Sequence, residues 1–572
     1  MKSFDKKEIL MFSFLAFLTF FLFFFNLGNV GLLEPDEGRY SEIPREMIES
    51  SDWIVPKLNG VLYFEKPPLV YWLVAISFKV FGYNEFAGRF PGAFLGAIGI
   101  FLTYFLARRM YGKKCAFYSS LILLTSLEYF FVSRIILLDI PLAFFITLTF
   151  SSFYFYLTSE KRSKFWLILF YIGMALGTLT KGPVAIVLPV GILFVFLLLT
   201  SNLKYFISDK THFAGLAVFS VLTVPWFILV TIREPSFFNF FFIREHVLRF
   251  LTNEHNRNEP FYYFFLIILA GFFPWIVYIP FSLKRYLKVF PLSVFKDKEL
   301  NKFLFLFLWS AGIFGFFSIS GSKLVAYIVP IFPAISIMAG LLIAHIIDDK
   351  AVLRKEHYVI FSLLIILVII FSGFMIYFAL FRHKIEGLSI IISLIGVFLI
   401  SGFGLSWYLF FRKNRRGSAF LTQIISVAIM QFLVILSLQR AEYYLSAKSI
   451  MVKLKDIKNQ NDRVYSFGCY QQSMPFYLGE RVKIIDWRGE LEFGIDKLDE
   501  KIRNIWFLKG RNEFLLAELE KEGRMFIVMK EGDYEAFMKN HPSANLFKLI
   551  SANETLLLTN EPAEKNKCSS EL

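Results

Sequence analysis

The stretch GLLEPDEGRYSEIPREM, residues 31–47, directly follows an apolar run, residues 8–26, that is long enough to cross a bilayer. Seven of its side chains are charged, and they begin where the apolar run ends. Ionisable groups at the edge of hydrocarbon are costly unless they are paired or lie in a wet cavity. The stretch therefore predicts a membrane protein whose polar chemistry starts at the mouth of its first helix.

The composition of the whole chain supports this interpretation. Of its 572 residues 56% are hydrophobic, and phenylalanine alone occurs 73 times, which is more apolar surface than a soluble domain can bury. The net charge of +15 does not indicate nucleic acid, because most Lys and Arg residues fall in short loops between apolar runs. We therefore predict a polytopic membrane protein with no nucleic-acid partner.

Fourteen apolar runs lie between residues 8 and 438. The run 68–82 begins at a Pro-Pro pair, contains Lys79 and is short for a span, so we interpret it as an interfacial helix. The other thirteen are predicted spans: 8–26, 91–109, 115–132, 138–158, 165–180, 182–200, 213–232, 261–283, 302–319, 323–346, 357–380, 386–411 and 418–438.

With thirteen spans, the loops that are rich in Lys or Arg all lie on one side, as the positive-inside rule requires. These loops are residues 107–114, 159–164, 202–210, 283–302, 348–355 and 411–417. The N-terminus is then cytoplasmic and the C-terminus lies outside.

The chain divides into two predicted domains. Residues 1–443 form an all-α membrane domain with about 13 transmembrane helices and a first outer loop over 27–90. In residues 444–572 short strand-like runs alternate with helical patterns, which predicts a small soluble α/β domain on the outer side. This domain either covers a cavity, meets an acceptor or only stabilises the protein.

The predicted outer loops carry the candidate site residues. A helix that begins near Asp36 would place Asp36, Arg39 and Tyr40 on one face. Helix capping is an alternative role for Asp36, but it would leave the neighbouring Glu37 unexplained. In YFEKPP, Tyr63, Glu65 and Lys66 precede the interfacial helix, and Lys66 can meet a phosphate as a point charge.

Further candidates come from later outer loops. Asp139 opens a predicted span, where it either caps the helix or acts in the site. Lys181 lies in TKGP, and Lys323 and Tyr327 lie one helical turn apart where they could hold a phosphate. The remaining candidates, Arg249 and His246, lie in a loop of 28 residues. His246 and Glu65 are possible ligands for zinc or another divalent cation, although no close-spaced metal motif is present.

Carboxylates near Lys, Arg and Tyr at the membrane surface suit transfer of a sugar from a lipid-linked phosphate. Cations stabilise the charge that develops on the leaving phosphate, and an acid activates the acceptor or steadies the positive charge on the sugar. The sequence contains no glycine-rich phosphate-binding motif. We therefore expect a polyprenyl phosphate carrier rather than a nucleotide sugar.

Several motifs resemble the ArnT-like glycosyltransferases, which transfer 4-amino-4-deoxy-L-arabinose to lipid A and belong to the wider protein O-mannosyltransferase-like (GT-C) group. The resemblance covers roughly residues 8 to 340 and is most specific in the first outer loop. It is carried by PDEGRYSEIPREMIESSDWIVPKLNGVLYFEKPPLVYWL (35–73), FAGRFPGAF (86–94), SRIILLDIPLAFF (133–145), TKGPVA (180–185), REHVLRF (244–250) and SGSKLVAYIVPIFPA (320–334).

The resemblance implies roles for residues of this chain. Asp36 falls on the family's key acid and Asp139 on its second acid. Lys66 falls on the lysine implied to bind the carrier phosphate, whereas Glu65 and His246 fall where the family can hold zinc. Lys181, Arg249, Lys323 and Tyr327 fall on positions that line the same cavity. The family fold has thirteen spans, outer juxtamembrane helices and a periplasmic C-terminal domain.

The predicted protein is a glycosyltransferase of the cell inner membrane that acts on the periplasmic face, in contact with membrane lipids and as a monomer. It would move a sugar from undecaprenyl phosphate to lipid A or a related glycolipid. Transfer to protein Ser or Thr, or of mannose or galacturonate, remains open, and only a Ser or Thr acceptor needs Asp36 as a base. A transporter or lipid flippase is the alternative from another class, although no internal repeat is visible.

Overall fold

The structure is a computed structural model that describes residues 4–159, 163–248, 259–287, 298–349, 355–381, 388–440, 442, 446–552 and 554–561. The chain folds into two compact units, each built from several stretches of sequence. The helical unit comprises Met1–Leu27, Glu65–Val70 and Arg89–Ser437, and the α/β unit comprises Gly28–Phe64, Tyr71–Gly88 and Leu438–Leu572.

The helical unit contains apolar helices joined by short loops. Within the described ranges, nine helices are long and apolar enough to cross a membrane, or up to eleven if each of two bent pairs is one span. The helices that lie wholly or mostly in this unit are Lys6–Phe24, Glu85–Tyr111, Lys113–Thr125, Leu127–Ser133, Asp139–Thr158, Lys164–Lys181, Val184–Leu199, Leu203–Ile207, Thr211–Arg233, Ser236–Phe238, Tyr263–Gly271, Tyr278–Leu287, Lys298–Ile319, Phe332–Asp348, Lys355–Phe381, Leu388–Phe411 and Arg416–Leu438. Asn239–Leu248 is π-helical, and Trp275–Val277 and Val325–Ile331 are 3₁₀ turns.

Two of the thirteen predicted spans are not straight helices. The run 115–132 bends by 64° between Thr125 and Leu127, and the run 261–283 bends by 114° between Gly271 and Trp275. Pro274 lies in the second break and cannot donate a helical hydrogen bond. The runs 165–180 and 182–200 form helices of 18 and 16 residues that are not among the nine. The count of thirteen therefore stays a prediction.

The helix predicted to be interfacial has the length that the sequence indicates. Leu69–Phe81 has 13 residues, which corresponds to about 20 Å at the rise of an α-helix. A span must cover ~30 Å of hydrocarbon, so this helix is too short to cross. The helix expected from Asp36 onward is also present, as Asp36–Ser50.

Two buried arginines hold the end of the first helix. Arg134 donates to the carbonyls of Leu22, Phe23 and Phe25, and Arg89 donates to the carbonyl of Leu27. The last carbonyls of a helix have no partner within the helix, and Arg134 satisfies those of Leu22 and Phe23. Arg89 binds the chain three residues after the helix ends at Phe24. Each arginine lies in a motif of the resemblance, FAGRF and SRIILL, and together they fix the end of the first helix and the chain that follows it.

The α/β unit is built on a six-stranded sheet. Its strands are β3 Arg463–Phe467, β4 Lys483–Ile485, β5 Phe507–Leu508, β6 Met525–Lys530, β7 Phe547–Ala552 and β8 Thr555–Thr559, in the order β5-β4-β3-β6-β8-β7. The four strands β5, β4, β3 and β6 are parallel, whereas β8 runs antiparallel to β6 and β7. Successive residues of β6 enter different core clusters, Ile527 on one side and Phe526 and Val528 on the other, as expected for a central strand.

Helices cover both sides of this sheet. They are Lys448–Ile457, Met474–Leu478, Glu492–Asp496, Glu500–Trp506, Arg511–Leu519 and Glu531–Asn540. A small hairpin from the stretch 27–90, β1 Lys57–Leu58 and β2 Val61–Leu62, belongs to the same unit. Asn59 and Gly60 both have positive φ, which is the two-residue turn that suits the twist of a hairpin.

The predicted first outer loop is not a simple part of the membrane domain. The carboxylate of Glu34 accepts hydrogen bonds from the backbone N–H groups of Gln472 and Ser473 at 2.9 Å. The Asn59 side chain bonds both the N–H and the carbonyl of Val482 at 2.9 Å. Most of the loop 27–90 therefore folds with the C-terminal residues, although the second unit begins at 438, close to the predicted boundary at 444.

Candidate functional site

An ion pair joins two helix ends in the helical unit. Asp139 begins one helix and Lys181 ends another, and Lys181 Nζ lies 2.5 Å from Asp139 Oδ1. The Asp139 side chain is almost entirely buried and that of Lys181 largely so. A buried charge requires such a partner, and a cation is also favoured at the C-terminal end of a helix.

Tyr327 lies beside the same ammonium group. Lys181 Nζ is 4.2 Å from the centroid of the Tyr327 ring, which is within the range of a cation–π interaction. Asp139 and Tyr327 thus hold Lys181 from two directions. The structure brings together three of the predicted site residues.

A second cation, Lys66, lies between two carboxylates. Its Nζ is 4.0 Å from Oε2 of Glu65 and 4.0 Å from Oε2 of Glu245, and it donates to the carbonyl oxygen of Glu65 at 2.9 Å. Glu245 is more buried than either neighbour. In the sequence Glu245 stands out only as part of REHVLRF, and its position there does not indicate a role.

Lys66 and Lys181 line one cavity in the helical unit, with a volume of about 510 Å³. Glu245, Tyr327, Ser320 and Ser322 also line it, and the rest of the wall is apolar. The lining residues are Lys66, Lys181, Pro183, Val184, Val187, Phe242, Ile243, Glu245, Val247, Phe316, Phe317, Ser320, Ser322 and Tyr327. An apolar cavity that contains two ammonium groups is suited to an amphiphile with an anionic head group.

Lys323 is buried next to the cavity but does not line it. Its ammonium donates to the carbonyls of Glu259 and Ser320 at 2.9 Å. Ser320 and Ser322 line the cavity, whereas Lys323 does not. The Lys323 ammonium therefore fixes a turn beside the cavity, and its predicted role as a phosphate ligand stays a prediction.

Glu128 is a buried acid of the helical unit that the sequence analysis missed. Its side chain is 6% exposed, and neither carboxylate oxygen has a hydrogen-bond partner within the part of the chain that the structure describes. Its Oε2 lies against Gly271, at the start of the 114° break. An acid within the apolar run 115–132 was a visible signal, because such residues are functional candidates by default.

In the α/β unit Asp36 belongs to a polar cluster around Arg39. Asp36 is about half exposed and its Oδ1 lies 2.7 Å from Arg39 Nη2. Arg39 is buried, and its Nη1 lies 2.6 Å from both the Tyr63 hydroxyl and Glu490 Oε2. Arg39 therefore fixes the orientation of Asp36, and Glu490 is a further member of the cluster that the sequence did not indicate.

Glu37 and Tyr40 have structural contacts. The Glu37 carboxylate is buried and accepts from the N–H of Leu33 at 2.9 Å, which secures the entry to the helix Asp36–Ser50. The Tyr40 ring packs 6.1 Å from the Tyr71 ring, centroid to centroid. The Arg39 guanidinium carbon lies 5.3 Å from the Tyr40 ring centroid, so Tyr40 also supports the Asp36 cluster.

The same helix buries several further acids in the α/β unit. Glu42 forms a two-point ion pair with Arg45 at 2.6 Å, and Glu46 accepts from the N–H of Gly60. Burial raises the pKa of Glu34 and Glu46 and raises that of Glu42 well above its usual range. The Glu42 and Glu46 side chains are also hydrogen-bonded to each other, which requires a shared proton.

The predicted metal ligands are only partly described. No group of three or more His, Cys, Asp or Glu side chains that could hold a metal ion occurs among the described residues. The His246 side chain and Arg249 lie outside them. Among the described residues Glu65 has the Lys66 ammonium beside it, so these residues do not by themselves make up a metal site, and zinc at Glu65 and His246 stays a prediction.

The predicted residues thus fall into two sets. Asp139, Lys181, Lys66 and Tyr327 lie in the helical unit, whereas Asp36, Arg39, Tyr40 and Tyr63 lie in the α/β unit. The prediction that both sets share one pocket joins the two units and stays a prediction.

Comparisons with known proteins identify the family. Residues 10–241 match the family described as dolichyl-phosphate-mannose-protein mannosyltransferase, and residues 447–548 match the aminoarabinose transferase C-terminal domain. The second match covers most of the sheet-containing part of the α/β unit.

Similar proteins extend over most of the chain. A protein of Aquifex aeolicus named only as uncharacterised is 30% identical over 455 residues, 79% of this chain and 84% of that protein. The undecaprenyl phosphate-alpha-4-amino-4-deoxy-L-arabinose arabinosyl transferase of Erwinia tasmaniensis is 28% identical over 528 residues, 89% of this chain and 91% of that protein.

Solved structures share the fold. One of them is the crystal structure of ArnT from Cupriavidus metallidurans bound to undecaprenyl phosphate. Its sequence is 25% identical to this chain, and the two structures superpose with a TM-score of 0.81 over 96% of this chain and 98% of that chain. The archaeal oligosaccharyltransferase AglB from Archaeoglobus fulgidus, 13% identical with a TM-score of 0.52, shares the fold alone. Fold and matches define an integral-membrane glycosyltransferase of the GT-C class. Within that class, the chain belongs to the ArnT-like family.

Proposed function

We propose that this enzyme moves a sugar from undecaprenyl phosphate to lipid A or a related glycolipid on the periplasmic face of the cell inner membrane. The observation that carries the proposal is the apolar cavity of about 510 Å³ that is lined by both Lys66 and Lys181. A polyprenyl chain fits apolar walls, and its phosphate needs cations. The names of the arabinosyl transferase relatives and of the ArnT structure bound to undecaprenyl phosphate support this choice of donor.

The two lysines would bind the phosphate and stabilise it as a leaving group. When the bond between sugar and phosphate breaks, the bridging oxygen gains negative charge, and ammonium groups already in place stabilise that charge. Each lysine has a carboxylate partner, Asp139 for Lys181 and Glu245 for Lys66, that holds it without filling the cavity. The two lysine side chains are therefore already ordered when the donor binds, so binding does not have to fix their conformation.

Asp36 would act on the acceptor side. A lipid A phosphate is already ionised near neutral pH, so Asp36 would then orient the acceptor or stabilise positive charge on the sugar. A hydroxyl acceptor would instead need Asp36 as a general base. In either case Arg39 is a positioning residue, because its guanidinium holds the Asp36 carboxylate at 2.7 Å.

A zinc ion at Glu65 and His246 belongs to the proposal only as a supplementary cation. It would add positive charge near the phosphate, as bound metals do in phosphate sites. The described geometry places Lys66 beside Glu65, and the steps above use the lysines alone.

The proposed orientation places the N-terminus in the cytoplasm and the C-terminus in the periplasm. Single cysteines in a Cys568→Ser background test it, because Cys115 and Cys469 are buried. Ser50 and Ser208 are both exposed positions. An impermeant thiol reagent should label Ser50→Cys in intact spheroplasts and Ser208→Cys only after lysis, and the reverse pattern would overturn the orientation.

The activity is tested with the purified full chain in lipid nanodiscs, supplied with undecaprenyl phosphate-linked aminoarabinose and lipid A. Mass spectrometry should show lipid A gaining the mass of the sugar while undecaprenyl phosphate is released. In a second reaction that also contains a peptide with Ser and Thr, glycosylation of the peptide with unmodified lipid A would favour the protein-acceptor alternative. Movement of intact donor across the bilayer without sugar transfer would favour a flippase.

A further inference from the structure

The α/β unit has a second cavity of about 430 Å³. It lies where strands β4 and β5 end, and it is lined by Asp486, Trp487, Arg488, Ile495, Asp496, Glu500, Arg503, Asn504, Phe507, Leu508 and Lys509. Asp486 directly follows β4, and Lys509 directly follows β5. In open sheets with parallel strands, ligands bind outside the carboxyl ends of the strands at a switch point, which in this sheet lies between β3 and β6. The cavity opens at the same edge of the sheet, beside the adjacent strands β4 and β5.

The wall of this cavity combines one indole with many hydrogen-bonding groups. Trp487 is partly buried, its ring lies 5.3 Å from that of Tyr470, and its Cζ2 would be 2.4 Å from a Cβ at Gly489. Gly489 has φ +42, so both backbone and space require glycine at this position. The loop thereby fixes the indole at the edge of the cavity.

Several charged groups of the cavity are not used by the fold. Arg488 forms ion pairs with Asp496 and Glu492. Over the described part of the chain, the side chains of Glu500, Arg503, Asn504 and Lys509 have no hydrogen bond or ion pair. Hydrogen-bond donors and acceptors are thus available to a ligand beside the Trp487 ring. They include the two cations Arg503 and Lys509, which have no ion-pair partner within the described residues.

We propose that this cavity binds a phosphorylated saccharide and that it holds the carbohydrate head group of the acceptor glycolipid. This inference rests on the proposed function for the identity of the acceptor. Sugar hydroxyls are donors and acceptors at once, so they match a wall with both signs of charge and an amide. The indole offers an apolar face to the ring and an N–H donor. Arg503 and Lys509 would meet a phosphate on the sugar.

The loop after β4 connects this cavity to Asp36. Arg488 lines the cavity, and Glu490, two residues further on, pairs with Arg39 at 2.6 Å. Arg39 in turn holds Asp36. Two residues of extended chain span at most about 7 Å. The cavity is therefore linked to the acid that is proposed to act on the acceptor through Glu490 and Arg39.

The acceptor KM tests the inference. Arg503→Ala and Asn504→Ala, in the full chain in nanodiscs, should each raise the KM for lipid A about tenfold, because each removes a hydrogen bond to the head group. The KM for the undecaprenyl phosphate donor and the kcat at saturating lipid A should stay within a factor of about two. Lys501→Ala, on the same short helix and exposed but outside the cavity, is the matched control and should leave both KM values unchanged.

Direct binding gives a readout that does not depend on transfer. The probe is the water-soluble phosphorylated disaccharide that remains when lipid A is deacylated, and saturation-transfer NMR on the full chain in detergent detects it. The signal should be present in the wild type and in Lys501→Ala, weakened in Arg503→Ala, and lost in the Arg503→Ala/Asn504→Ala double variant. Equal signals in all four proteins would overturn the inference.

The two proposals fail in different ways. A wild type that binds the disaccharide through Arg503 and Asn504 but transfers no sugar to lipid A would refute the proposed acceptor and leave a saccharide site. A wild type that modifies lipid A, with an unchanged acceptor KM in both cavity variants, would refute the saccharide site and leave the proposed function intact.

Discussion

Lys181 Nζ lies 2.5 Å from Asp139 Oδ1, so a cation of the cavity is held by an acid from the start of another helix. The pair could serve only to neutralise two charges in the membrane. That alternative does not explain why the ammonium also lies 4.2 Å from the Tyr327 ring centroid and lines a cavity. We therefore treat Asp139 as a positioning residue for Lys181.

Asp139→Asn should lower kcat without unfolding the protein. The amide is close in size to the carboxylate but leaves Lys181 without its ion pair, and a catalytic group displaced by 1 Å can cost about 10²-fold in rate. Because the donor still has Lys66, the KM for undecaprenyl phosphate-linked sugar should rise less than kcat falls.

Asp139→Glu is the companion variant, since it keeps the charge. Partial recovery of kcat by Asp139→Glu would support positioning through the ion pair. Full activity of Asp139→Asn at unchanged melting temperature would contradict it.

Asp36→Asn should fold, insert into the membrane and lose about 10²–10⁴-fold in transfer rate, the range typical of a positioned acid or base. Arg39 would keep a hydrogen-bonding partner in the amide oxygen, so the cluster with Tyr63 and Glu490 should persist. Steady-state transfer with saturating donor and acceptor measures the loss. Asp52→Asn, in the same outer loop, is the control, and a variant at Asp36 that retains most of its activity would remove this residue from the mechanism.

The α/β unit should become less stable as the pH rises above the usual carboxyl range. Burial raises the pKa of Glu34, Glu42 and Glu46, so the folded state binds more protons than the unfolded state between the two pKa values. Their stabilisation is complete below the unfolded pKa and is lost as the pH rises through the folded pKa, at about 1.4 kcal/mol per pH unit for each proton.

Glu46→Gln should flatten this dependence. The Gln amide can accept from Gly60 N–H and donate to Glu42. Unlike the proton that Glu42 and Glu46 share, its N–H hydrogen is not lost as the pH rises. The effect is measured as the change of the apparent melting temperature of the purified protein between pH 5 and pH 8. Proteins are typically most stable at about these pH values. Glu535→Gln, at an exposed position of the same unit, should keep the wild-type slope, and an equal slope in Glu46→Gln would contradict the account.

The zinc prediction is checked by elemental analysis of protein purified without chelators. A zinc ion on Glu65 and His246 requires that Glu65→Gln and His246→Ala each lower the metal content, because the loss of one ligand weakens a site steeply. Glu259→Gln, exposed in the same outer region, should have no effect. Absence of zinc from the wild type, or an unchanged content in both variants, would refute the site and leave Lys66 as the cation beside Glu65.

Local patterns in the sequence were sufficient for much of the architecture. The charged stretch after the first apolar run predicted the helix Asp36–Ser50, and the short run at a Pro-Pro pair predicted the helix Leu69–Phe81. Both predictions use only the spacing and length of patterns within about 15 residues, and such local patterns can be recognised directly in the sequence. The family resemblance is confirmed by the matches to this chain.

Contacts between distant parts of the chain could not be predicted in this way. Glu490 pairs with Arg39 although 451 residues separate them, and nothing near either residue marks the other. Glu245 likewise reaches Lys66 from another loop. Lys323 carries the same charge as Lys181, yet its ammonium bonds backbone carbonyls, a difference that only the turn geometry decides.

The continuous apolar run over 261–283 also hid a change of direction. Hydropathy counts apolar side chains and does not register where the chain turns, so the run was predicted as one straight span. The structure bends it by 114°. Pro274 was a visible sign of the break, because proline interrupts helical hydrogen bonding.

Affinity for undecaprenyl phosphate is the most direct measure of the central claim that Lys66 and Lys181 bind the carrier phosphate in one cavity. Binding is measured by native mass spectrometry or calorimetry on the full chain in nanodiscs. Lys66→Met and Lys181→Met should each weaken it about tenfold or more, the value of one charge-assisted hydrogen bond. Lys204→Met, exposed and outside the cavity, should bind like the wild type, whereas wild-type affinity in both cavity variants would contradict the account.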